Sequence, residues 1–243
     1  MPKNSQITVF VMIGLVFLVT MGIMLWKLGM IREQETALER ERILDDDRFM
    51  ESENIRFSEC VRQLSYEAFR LLGESGLIYP EHYAGNVVPF AYYYYDGELA
   101  VPAIHDIEEQ LEMYIRSNID SCAYSPYAVY DKPDEAKVKA SILPSKIVFG
   151  ISYKARPKRE VSLSSLKDVS IEIPYNFSRI YYSANEIAMM SKEDPGWIDS
   201  ALLLDLPVNV TMSYIAADTI VYTLSDVYPK GVYDFSFAVK VGQ

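Results

Sequence analysis

The chain has 243 residues, 34 acidic and 23 basic, with a formal charge of −11 and a sequence pI near 4.7. A body this acidic lacks the Lys/Arg face that phosphate contacts need, which excludes a general nucleic-acid binder. Half of the residues are hydrophobic and two are cysteines, which excludes wholesale disorder and a Cys-dense scaffold.

Residues 1–6 read as a short polar tail. From Ile7 to Trp26 the chain runs ITVFVMIGLVFLVTMGIMLW, with no charge and no proline. An apolar helix of about 20 residues matches a hydrocarbon core of about 30 Å. The expectation for 7–26 is therefore a transmembrane helix with the lipid bilayer as its partner. A cleaved secretory signal has a shorter apolar region followed by small residues, whereas this run ends on Trp26 and Lys27, an interfacial pair.

Orientation signals conflict. Lys27, Arg32, Arg40 and Arg42 follow the run and only Lys3 precedes it, a count that places the large domain in the cytoplasm. Against it stand Cys60 and Cys122, an even number suited to one disulfide in an oxidising compartment. Asn176-Phe-Ser178 and Asn209-Val-Thr211 are candidate N-glycosylation acceptors. Long domains translocate largely regardless of charge, so the expected location is the cell membrane, single-pass, with an extracytoplasmic head.

Residues 27–59 mix basic and acidic side chains without proline. Ile31, Leu38, Leu44, Met50, Ile55 and Phe57, then Val61, Leu64, Ala68, Leu71 and Leu72, recur close to helical spacing. The helix is expected to continue as a charged stalk and to end at Gly73–Gly76. Its sparse apolar stripe permits self-association but is too irregular for a heptad coiled coil. Asp45, Asp46 and Asp47 fan out around a helix axis and cannot converge on one cation, so they read as a solvated face.

The head is expected over 60–243, with a helical clamp and hairpin in 60–122 and a β-rich part in 146–243. In VVPFAYYYYDGELAVP, Asp96-Gly97 marks a hairpin turn. Along a strand, Tyr92 and Tyr94 point one way and Tyr93 and Tyr95 the other. One pair is expected in the core, and Tyr93 with Tyr95 is the candidate interaction surface; β propensity explains the same cluster without a partner. Ile104–Cys122 reads as an amphipathic helix, so a Cys60–Cys122 bond would clamp two helices together. A zinc pair is disfavoured, since no C-x-x-C motif or neighbouring histidine accompanies these cysteines.

From Lys146 the period changes to two. Ile147, Phe149, Ile151 and Tyr153; Val169, Ile171 and Ile173; Leu204 to Tyr214; Thr219 to Leu224; and Tyr233 to Val241 alternate as half-buried antiparallel strands. Ser178–Lys192 reads as a helix, with a short helical turn after Pro195. The fold class is α+β: a transmembrane helix continuing into a helical stalk, then a head with an antiparallel sheet and packed helices.

The segments ECVRQLSYEAFRLLGESGLIYPEHY and PFAYYYYDGELAVP, the helix closing at Cys122, and the ending GVYDFSFAVKV together resemble an uncharacterised group of single-pass surface proteins abundant in small-genome archaea. That resemblance covers most of the chain and implies an anchored exterior protein. The opening is also similar to archaeal type IV prepilins, with Lys3 and Gln6 as the polar residues before the apolar helix. It departs from them in lacking an acidic residue early in the apolar run.

Signals for catalysis are sparse. His82 and His105 are the only histidines, and neither a nucleophile elbow nor a phosphate-binding loop is present. Ser164 and Lys167 form an S-x-x-K, which pairs nucleophile and base in some acyl-transfer enzymes, without a companion motif. Glu108 and Glu109, or Asp134 and Glu135, diverge on a helix and read as surface charge. The expectation is a non-enzymatic, membrane-anchored surface protein, with no cofactor and no metal, whose head serves interaction or structure. Self-association through stalk and head belongs to that reading. The alternatives are a pilin-like filament subunit and a Ser/Lys ectoenzyme.

Overall fold

The computed structural model describes residues 4–125, 128–132, 135–157, 166–194, 197–229 and 231–241, with side chains from residue 17 onward except 28–29 and 31–47. Its first element, α1, is one helix from Asn4 to Ser75. Asn4, Ser5 and Gln6 of the expected polar tail are already helical.

The expected transmembrane helix over 7–26 is not borne out: among the described residues no helix is long and apolar enough to cross a membrane. The part of the run with described side chains begins at Phe17 and meets Lys27. Ten residues rise roughly 15 Å, about half of a hydrocarbon core. The run enters the structure as the leading part of a 72-residue helix. The side chains of Asp45, Asp46 and Asp47 lie outside the described residues.

The head takes hold of α1 at Met50, earlier than the expected boundary at 59. Met50, Phe57, Val61, Ala68, Phe69 and Leu72 are buried along one face, whereas Ile55 of the expected stripe is 66 % exposed. The helix ends where predicted. Gly76 has φ +75, the left-handed conformation that glycine adopts without a Cβ penalty after a helix, and its N–H donates to Leu72 O. Gly73 lets α1 approach the sheet closely, since a Cβ there would stand 2.4 Å from Asp234 O.

In chain order there follow β1 (Tyr83–Ala84), β2 (Phe90–Tyr95), β3 (Glu98–Leu99) and α2 (Ile104–Asn118), which runs on into a 3-10 turn, Ile119–Cys122. Then come β4 (Ala128–Tyr130), β5 (Lys137–Leu143), β6 (Lys146–Ser152), β7 (Ala155–Pro157), β8 (Val169–Ile173), α3 (Phe177–Glu193), α4 (Ser200–Asp205), β9 (Asn209–Ala216), β10 (Thr219–Tyr228) and β11 (Gly231–Lys240).

The expected single antiparallel sheet is divided. The larger sheet has the order β1-β2-β11-β10-β9, with β3 also on β2. β9, β10 and β11 form an antiparallel meander, but β11 pairs with β2 in parallel, so the early hairpin completes a mixed sheet. β5-β6-β8 is a second, antiparallel sheet, and β4-β7 a two-stranded ribbon. Leu204 and Leu206, read as strand residues, belong to α4 and its C-terminal cap. Asp199 caps α4 by accepting bonds from the Ala201 and Leu202 N–H groups, and that local signal overrides the alternation.

The core between α1 and the larger sheet is aromatic. Phe69 stacks on Tyr233 with ring centroids 4.0 Å apart, and Tyr93 stacks on Phe237 at 4.5 Å. Two of its buried hydroxyls are satisfied near the end of α1: Tyr233 Oη donates to Phe69 O and Tyr93 Oη to Gly76 O. Strand tyrosines thus place their hydroxyls on backbone carbonyls near the C-terminal end of α1.

Candidate functional site

The Cys60–Cys122 disulfide is present, with Cα atoms 5.6 Å apart across 62 positions of sequence. Cys60 lies on α1 and Cys122 closes the turn after α2, so the bond clamps the two helices.

One to two turns before Cys60, α1 carries a charged cluster of Glu53 and Arg56 that meets Tyr130. Glu53 is 6 % exposed. Its Oε2 accepts from Arg56 Nη2 at 2.8 Å, Arg56 Nε at 3.2 Å and Tyr130 Oη at 3.0 Å, while Arg56 Nη2 also donates to Tyr130 Oη. Burial alone would raise the Glu53 carboxyl; bonds from Arg56, Tyr130 and Ser125 together with the Arg56 charge outweigh it and hold the group below the usual carboxylate range. Burial and the bond to Glu53 push the Tyr130 phenol up to about 12. The sequence placed Glu53 on a solvated stalk; nothing local marks it, because its partner Tyr130 is 77 residues away.

A carboxylate held low stabilises the fold while it is ionised and loses that effect as pH falls through its folded value. The Glu53 contribution is therefore complete above its ordinary value near 4.5 and disappears below it. The melting temperature of Glu53→Gln should lie below that of the native chain at neutral pH, and the two should converge on acidification. Parallel curves across that range would remove Glu53 from this role.

The tyrosine run does not divide as expected. Tyr93 is fully buried and Tyr94 is 5 % exposed, so Tyr93 offers no interaction surface. The pairing of β11 with β2 shifts register between Ala238 and Val239, and the adjacent Tyr93 and Tyr94 both join the main core. Tyr95 is half-buried, its ring stacked on His82 at 5.4 Å and covered by Lys240 Nζ at 4.7 Å. Lys240 also pairs with Asp96 in the hairpin turn. The ring of Tyr95 is thus already engaged by His82 and Lys240.

A groove of about 740 Å³ lies between the 77–82 loop, β2 and the outer side of α2. Gln110 fixes that loop by bonding both Tyr79 N–H and Tyr79 O. The groove is rimmed by carboxylates already engaged in structure. Asp106 accepts from Ala103 N, Glu112 from Ala140 N at 3.0 Å, and Glu109 sits 3.1 Å from His105 Nε2. Such groups are poor material for a cation site.

Glu108 corrects the surface-charge reading. It accepts from Ile142 N at 2.7 Å, so Glu108 and Glu112, one turn apart on α2, cap the free edge of β5. His82 and His105 stay apart, and among the described residues no group of three or more His, Cys, Asp or Glu side chains is placed to hold a metal. Ser164 lies outside the described residues, as does Asp134. Lys167 donates its backbone N–H to Asn54 Oδ1. Asn176 and Asn209 are both exposed, at the start of α3 and of β9, accessible to a glycosyl transferase.

No protein-family model, curated protein or solved structure matches this chain.

Proposed function

We propose that the chain is a non-enzymatic structural subunit of an extracytoplasmic assembly, in which α1 presents the head and its apolar leading part is buried against helices of other copies. One observation carries this reading. Phe17, Leu18, Val19, Met21, Ile23, Met24, Leu25 and Trp26 each expose 52–72 % of their surface. Residues advance about 100° around a helix, so these side chains cover every side of it. A helix that is apolar all round belongs in a packed interior, and the head, which begins at Met50, leaves this part of α1 uncovered.

The disulfide supports an oxidising compartment, and two N-x-S/T tripeptides with exposed asparagines are compatible with one. The similarity of the opening residues to prepilins, whose apolar helices pack into a filament core, points the same way. Such an assembly needs no catalytic step from the head.

Sedimentation of the full chain tests the reading. The native protein should form species larger than dimers at micromolar concentration. Leu18→Glu/Leu25→Glu, which charges one side of α1, should dissolve them while leaving the melting of the head unchanged. A native chain that sediments no larger than a dimer would refute the assembly.

A further inference from the structure

Among the described residues, the protein protects its sheet edges with one exception. β1 and β3 are two residues long, and β4 and β7 three. β5 is capped by Glu108 and Glu112, and the approach to β8 is tied to α1 through Lys167 N and Asn54. Short strands and charged side chains are the usual means of closing an edge to foreign pairing. β9 has neither. Its eight residues, NVTMSYIA, contain no charge, and among the described residues nothing pairs with its outer edge. On every second residue of an antiparallel edge strand the N–H and C=O point away from the sheet.

We propose that β9 is a self-pairing edge, which joins two copies of this chain antiparallel about a two-fold axis perpendicular to the sheet. The faces of β9 are suited to this occupant. Val210, Met212 and Tyr214 lie opposite Leu224, Tyr222 and Ile220 of β10, on the side of the core. Met212 and Tyr214 are nevertheless 47 % and 64 % exposed. Thr211 and Ser213 lie opposite Thr223 and Val221 on the other side.

An antiparallel two-fold pair keeps like faces together, and directly opposite residues then have numbers of even sum. The regular part of β9 ends at Tyr214, because the register with β10 shifts between Thr219 and Ile220. Centring the pair on Met212 uses this part best. Met212 then faces Met212 of the second copy, Val210 faces Tyr214, and Thr211 faces Ser213. Apolar side chains meet apolar ones on one face, and hydroxyls meet hydroxyls on the other.

The side chains of β9 fit a second copy: the strand is uncharged, so pairing with itself opposes no like charges across the junction, which limits the repulsion between two heads from a chain of formal charge −11. Asn209 stands at the margin of the pair, on the hydroxyl side, where an attached glycan would flank the junction.

This pairing does not depend on the helix assembly, and the test keeps the two apart by using the Leu18→Glu/Leu25→Glu full chain throughout. Directly opposite Cβ atoms are about 4.5–5.5 Å apart, so Met212→Cys should give roughly tenfold more covalent dimer under mild oxidation than Tyr214→Cys. In this register the two Tyr214 positions are offset by four residues, about 13 Å. Ser213→Lys added to Met212→Cys should abolish the dimer, because lysine closes an edge.

Equal yields from Met212→Cys, Tyr214→Cys and a Val232→Cys control, or a dimer unaffected by Ser213→Lys, would overturn the proposal. Should the cysteine variants lose the cooperative melt of the head, sedimentation with and without Ser213→Lys decides. Loss of a dimer supports the pairing, and a monomer in both cases sinks it.

Discussion

Replacing both Cys60 and Cys122 with alanine should destabilise the head by about 4 kcal/mol, the chain-entropy value for a loop of this length. At about 2–4 °C per kcal/mol for a body of this size, the melting temperature should fall by roughly 8–16 °C. The loop that the bond closes contains the Asp96-Gly97 hairpin and α2, and therefore the carboxylates that cap β5. The head should accordingly become more prone to aggregate as well as less stable. Differential scanning fluorimetry with and without a thiol reductant gives the first quantity, since reduction should shift the native chain and leave the alanine double variant where it is. An unreduced melt within a degree or two of the variant's would show that the clamp is held by packing alone.

Phe69→Ala should cost a similar amount, about 3–5 kcal/mol, as expected for removing a buried aromatic ring and leaving a cavity. The site has little freedom to collapse. Phe69 is 2 % exposed, its ring stacks on Tyr233 at 4.0 Å, and it contacts Tyr175 at 5.4 Å. Tyr233 is itself held by its bond to the Phe69 carbonyl, which the substitution leaves in place. Chemical denaturation should therefore show a lowered midpoint with an unchanged slope, whereas a changed slope would mean that the compact state itself had been altered. Phe69→Leu, which keeps most of the volume, should lose much less.

Helices in this chain were legible because their signals are local. The end of α1 at Gly76, the amphipathic faces of α2 and α3, and the Asp96-Gly97 turn all follow from neighbouring residues. Asp96 and Gly97 both adopt the positive φ that a two-residue hairpin turn requires. The period-two stretches named strands correctly at β6, β8, β10 and β11. Period two cannot say which strands share a sheet, and the parallel union of β2 with β11 has no sequence signature.

Residues with long-range partners were the ones misread. Glu53 and Glu108 appear as ordinary helix charges until Tyr130 and the β5 edge are brought beside them. Tyr93 looked as available as Tyr95 because alternation predicts direction and not depth. The apolar run at 7–26 does continue into the stalk as one helix, as its uninterrupted pattern implies, and the part of that expectation that fails is the membrane span. Of the candidate site residues, the structure unites Cys60 with Cys122, exposes Asn176 and Asn209, and takes Tyr93 out of contention.

The placement of β11 bears on how the head is made. It is inserted between β2, formed more than a hundred residues earlier, and β10, and its Tyr233 reaches Phe69 across 164 positions. Contacts so distant in sequence must await a large loss of chain freedom, and assembly dominated by them is slow. On the ribosome, the greasy flank of α1 and the tyrosines of β2 would wait uncovered for their last neighbour, and this is the interval in which a chaperone has most to protect.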